Sequence, residues 1–235
     1  ADESEDGSNE EEAKEESKKD DRELISEFVE EFIFYEGLLK SYQDPENGNT
    51  YLELSDEDIS KEFIYFAHII NGTVEAGLFK GSHIDQAVIK FEKQFNSLNL
   101  IRVNTEYYFD PNSELSRQSQ SNISDSVIEN FEITHKNEDE NTYLIDITKL
   151  LKSDNLTKLK SEPRDYESDS FGVGSLSRSK TAISKIYNYP NNTDFEVDYV
   201  FSNPASYESL RNTSVKLRYT FLEMPQDNGF EIRFE

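Results

Sequence analysis

Apolar residues recur mostly at every second position along this chain, and that period predicts strands joined by short turns. The run 214–222 is the clearest case, with Val215, Leu217, Tyr219 and Phe221 on one face and Lys216, Arg218 and Thr220 on the other. Residues 62–70 (EFIYFAHII) predict a buried strand, and 181–187 and 194–201 predict two more. Three hairpins are expected. One turns at Asn47-Gly48, one has arms 87–91 and 98–108 about Asn96-Ser-Leu-Asn, and one has arms 131–135 and 143–147 about the charged turn 136–141.

Helical spacing is confined to short stretches. Leu24, Ile25, Phe28, Val29 and Phe32 predict a short amphipathic helix over 23–34, and Ser55 followed by three acidic residues caps one or two further turns. Residues 113–130 are expected as a helix over a sheet, and 156–177 as an irregular surface loop. Hairpin-length connections dominate, so the expected fold class is α+β, mainly antiparallel β sheet with a few short helices.

One joint breaks the alternation. Residues 142–154 (TYLIDITKLLKSD) run from strand into a short helix with no Gly or Pro between them, and Asp146 sits near the centre, expected buried. Asp146 is the structural candidate of the chain, accepting backbone hydrogen bonds at the strand end or capping the helix that begins at Thr148. A catalytic role for it requires a partner acid or base, which the sequence does not supply.

Charge divides the chain. Residues 1–21 hold eleven Asp/Glu against three Lys, with nothing apolar larger than Ala, and are expected to be a disordered acidic leader. Residues 22–235 are expected as a single mainly-β domain with an aromatic core, since the chain contains 13 Tyr and 16 Phe but no Trp. A net charge of −25 argues against nucleic-acid and anionic-membrane partners. The sequence carries no apolar run long enough for a membrane span and no signal peptide, and the start at Ala1 is read as the removal of an earlier segment. Zero cysteines exclude disulfides and thiolate metal sites.

Motifs with chemistry are few. His68, His83 and His135 lie at neither helical nor hairpin spacing and are read as one packed strand residue and two surface residues. The stretch 171–181 (FGVGSLSRSKT) begins like a dinucleotide fingerprint and ends like a phosphate loop, but Ser177 and Ser179 stand where each motif needs glycine. No activated serine, zinc motif or calcium loop is present, and five N-x-S/T sequons are within chance for this composition.

The segment TYLIDITKLLKSD resembles a valine/isoleucine-Asp-valine/isoleucine-Thr-x-Leu-Phe/Leu-x-Ser-Asp motif. That motif belongs to the non-catalytic, N-terminal domain of unknown function in large bacterial secreted zinc-dependent metalloproteases. Other segments resemble the same module in the same order: GLLKSYQDPENGNTYLEL, SDEDISKEFIYFAHI, LNLIRVNTEYY, SVIENFEI, SRSKTAISKIYNYPNNTDFEVDYVF and SVKLRYTFLEMP, together spanning about residues 37–235. Leu39-Lys40 departs from the family's Phe-Pro at its opening hairpin.

The resemblance implies an accessory or pro-like module that shields, supports or presents substrate to a metalloprotease catalytic domain, held covalently or as a nicked chain. Its zinc ligands and catalytic Glu have no counterpart here, so no cofactor is expected in this chain and zinc is expected in the catalytic domain. The implied location is secreted, periplasmic or outer-membrane-associated in a Gram-negative bacterium. The alternative is a stand-alone envelope binding protein or an accessory subunit of an outer-membrane complex. An independent hydrolase ranks last.

Overall fold

The computed structural model describes residues 24–106, 124–159, 173–202 and 212–225. The acidic leader 1–21 lies outside them. Twelve strands form one sheet, each ladder antiparallel. They are β1 (Ile33–Tyr35), β2 (Lys40–Gln43), β3 (Thr50–Ser55), β4 (Glu62–Asn71), β5 (His83–Gln94), β6 (Ser97–Arg102), β7 (Ser126–Asn137), β8 (Thr142–Asp146), β9 (Ser175–Leu176), β10 (Ala182–Tyr189), β11 (Asn192–Ser202) and β12 (Asn212–Glu223). Their order is β1-β2-β3-β8-β7-β6-β5-β4-β12-β11-β10, with β9 added to β11.

The expected hairpins are present, and Gly48 takes the positive φ of 74° that the Asn47-Gly48 turn requires. The helices among the described residues are α1 (Leu24–Phe28) and α2 (Thr148–Leu151). They are so short that the fold is mainly antiparallel β sheet, and the α+β description holds only loosely.

Three expectations are corrected. Residues 126–130, expected to be helical, are the first half of β7. Their polar side chains line a strand that pairs with β6, and the rest of the stretch to residue 123 lies outside the described residues. The helix expected over 23–34 ends at Phe28, because Ile33, Phe34 and Tyr35 pair with β2 instead. The turn between β5 and β6 falls at Phe95-Asn96, earlier than expected, with Gln94 and Ser97 as its closing pair.

The sheet curls until its two ends meet. Strand β7 pairs with β6 through its first half and with β8 through its second, which carries the curvature. At the seam Leu38 N–H donates to Tyr189 O (2.8 Å), Leu39 N–H to Thr193 Oγ1 (3.0 Å), and Asn188 Nδ2 to Tyr35 O and Leu39 O (2.8 and 2.6 Å). Gly37 packs so tightly on Asn188 that no Cβ fits there. A second, smaller cluster of Ile25, Tyr51 and Leu144 fixes α1 against the outside of β3 and β8.

Candidate functional site

Inside this wall the joint at Asp146 acquires its meaning. After β8 the chain turns inward, and segment 147–159 runs across the inner faces of β4, β12 and β11, burying Ile147, Leu150, Leu151, Leu156 and Leu159 in the main core. Thr148 anchors the turn, because its hydroxyl accepts Thr50 N–H (2.7 Å) and donates to Thr50 O (3.3 Å). Asp146 is half-buried rather than buried, and its Oδ1 accepts Thr148 N–H at 2.8 Å. That bond satisfies a donor at the start of α2 that has no partner within the helix.

Three fully buried tyrosines on the wall meet this segment. Tyr219 and Tyr199 join hydroxyl to hydroxyl (2.7 Å), and Tyr199 reaches the Leu151 and Ser153 carbonyls (2.5 and 2.9 Å). Tyr65 pairs with the Thr157 hydroxyl. Burial pushes all three phenols well above their ordinary range, so they are neutral hydrogen-bonding groups. They tie the segment to the wall, and its apolar side chains join the main core.

The outer face is different. One row across four strands places Glu196, Arg218, His68 and His83 side by side, each the cross-strand partner of the next. Arg218 pairs with Glu196 and, at 3.8 Å, with Asp194, and lies 5.2 Å over the Tyr187 ring. Glu196 is only 4% exposed, which an ionised carboxylate tolerates because the guanidinium neutralises it. Burial first, then the Arg218 charge, holds the His68 imidazole below its ordinary value. No spacing along the chain brings His68 and His83 together; a loop of eleven residues separates their strands.

His135, read from sequence as a surface residue, is half-buried and stacked on Phe28 at 4.3 Å. Ser177 and Ser179 are tied within their own turn and face no nucleophile partner: Ser177 O accepts Thr181 Oγ1 at 3.0 Å. A cavity of about 290 Å³ opens beside Arg102, lined also by Gln86, Ala87, Asn104, Glu106 and Ser126. The Arg102 guanidinium there is engaged by both oxygens of Asp85 (3.1 Å each). Among the described residues, no group of three or more His, Cys, Asp or Glu is arranged to hold a metal ion.

At the tip of the β5–β6 hairpin, Phe95 has φ of 54° and is 92% exposed. The hairpin beneath it is clamped by Asn130, which donates to Ser97 Oγ (3.0 Å) and Asn99 Oδ1 (2.6 Å), and by Ile133 N–H on Asn96 O (3.1 Å). A left-handed conformation costs a phenylalanine about 1–3 kcal/mol, and leaving its ring in water gains nothing in return.

Residues 81–234 match the family model described as Domain of unknown function (DUF5117). The chain belongs to this family. The DUF5117 match begins just before β5, so it takes in the Phe95 hairpin, the inward segment, Glu196, Arg218 and His83, and leaves α1, β1 to β4 and His68 outside. No curated protein and no solved structure matches the chain. Among the described residues no helix is long and apolar enough to cross a membrane.

Proposed function

We propose that this chain is a non-catalytic accessory module that docks on the catalytic domain of a bacterial zinc-dependent metalloprotease, in the envelope or outside a Gram-negative cell. The observation that carries the reading is Phe95, an exposed aromatic ring held in a strained, clamped hairpin. Segment 147–159 packs into the core, and on the outer surface a pre-organised aromatic is the kind of anchor that dominates interface energetics. The ordered resemblance across residues 37–235 supports the choice of partner, and the net charge of −25 favours a partner surface with a basic rim. Zinc and the general base belong to that partner. This module shields it, supports it or presents substrate to it.

The test is affinity purification of the native protein, identification by mass spectrometry, and a binding titration after limited proteolysis. A metalloprotease domain carrying His-Glu-x-x-His is expected, in the same polypeptide or bound to it. Phe95→Asp is expected to weaken that association roughly 30-fold, the scale of a hot-spot aromatic, with no loss of thermal stability. Equal binding by wild type and variant removes Phe95 from the interface. Recovery of envelope proteins without any protease replaces the reading with a stand-alone envelope-binding role.

A further inference from the structure

On the outer face, His68 and His83 are opposed on β4 and β5. Ile69 N–H donates to Ser82 O (2.9 Å), which makes His68 and His83 a non-hydrogen-bonded pair. A β-bulge at this step, in which Ile84 is the extra residue on β5, sets His83 directly opposite His68. Two imidazoles on directly opposed residues have the reach to share one ion at the roughly 2.0–2.1 Å of a metal–imidazole bond.

Two further observations point the same way. His68 Nδ1 is buried and has no hydrogen-bond partner, and a buried polar atom left unpaired calls for an occupant. The groups facing His68 from neighbouring strands are His83 on β5, Arg218 on β12, and Asp194 and Glu196 on β11. The guanidinium of Arg218 is engaged by the two carboxylates, so the charged groups of the row sum to a net negative charge beside the imidazoles. The two carboxylates repel an anion there and attract a cation.

We infer that His68 and His83 form a cross-strand site for one borderline divalent cation, Cu²⁺ or Zn²⁺, with the remaining positions filled by water. Imidazole suits both ions, and the affinity order places Cu²⁺ first. The inference is independent of the protease reading, since it makes no use of Phe95 or of a partner, and His83 lies at the end of β5 away from the Phe95 turn.

Calorimetric titration of the whole chain with Cu²⁺ alone, and separately with Zn²⁺ alone, tests it. One saturable ion per chain is expected near neutral pH, tighter for Cu²⁺, with loss of binding on acidification as the imidazoles protonate. His83 is exposed, so His83→Ala folds normally and is expected to lower affinity at least about tenfold, whereas His135→Ala leaves it unchanged. Nitrogen-15 shifts of the His68 and His83 rings should move together on Zn²⁺ addition. Absence of saturable binding, or binding that His83→Ala leaves intact, overturns the site; weak heats spread over many carboxylates count as absence.

Discussion

The inner and outer faces of the same three strands solve opposite problems. Inward, β4, β12 and β11 present Phe63, Tyr65, Tyr199, Leu217 and Tyr219 to a segment of their own chain, and every phenol finds a partner. Outward, the same strands present Glu196, Arg218 and His68, where the charges pair but His68 Nδ1 and Arg218 Nε remain without hydrogen bonds. Satisfied polar groups around a filled core describe a scaffold, and unsatisfied ones at a surface describe a place where something else completes the set. The difference locates stability inside and, under the two proposals above, recognition outside.

The largest test of that division is Leu151→Ala. Leu151 is fully buried at the end of α2, beneath Tyr199, and its truncation leaves a cavity between the inward segment and the wall. A loss of about 2–5 kcal/mol is expected, read as a lower urea midpoint with an unchanged slope. His83→Ala on the outer face of the same sheet should move the midpoint little, because exposed positions away from special features rarely matter. Comparable losses at the two sites would erase the distinction.

Asp146→Ala is the intermediate test. Removing the acceptor of Thr148 N–H should cost about 1 kcal/mol, and Asp146→Asn, which keeps an oxygen there, should recover most of it. Neither change is expected to alter any activity, since Asp146 contacts no second acid or base. A variant that kept its stability and lost a measured activity would move Asp146 from scaffold to function.

Much of the scaffold was legible because local physics set it. The alternation of β12, the Asn47-Gly48 turn and the strand-to-helix joint at 142–154 each follow from residues adjacent in sequence. What the joint is for was not legible, since the inward path exists only once Leu38 and Tyr189, remote in sequence, close the seam. Residues 126–130 misled because the start of β7 is exposed or half-buried on both faces, with Val127 exposed, so it shows little alternation, and its spaced apolar residues imitate a helix. The His68–His83 pair was hidden by the intervening loop and the register shift at Ala67/His68. Phe95 was hidden by its type, since phenylalanine at positive φ contradicts the turn preferences on which a sequence reading relies.

The smallest effect expected is also the one that reads two outer positions at once. His68 on the outer row and His135 under α1 are both held below their ordinary value, each chiefly by burial, and His68 further by Arg218. The unfolded chain therefore binds more protons than the folded one as pH falls through about 6.5, so stability is full above that point and declines below it. Asp125, where burial is outweighed by Asn104 N–H and Lys90, lies below the ordinary carboxylate range and titrates later. Urea midpoints measured from about pH 7.5 down to about 5.5 should fall modestly, and His135→Gln with His68→Gln should flatten the slope. Added Zn²⁺ sharpens the comparison, because an ion bound between His68 and His83 stabilises the folded chain by mass action and steepens the decline on acidification. His135→Gln should leave that zinc-dependent part untouched, whereas His83→Ala should abolish it. A midpoint that rose on acidification would mean that the imidazoles gain carboxylate partners on protonation, and the outer row would then be a closed ion-pair network rather than a site awaiting a cation.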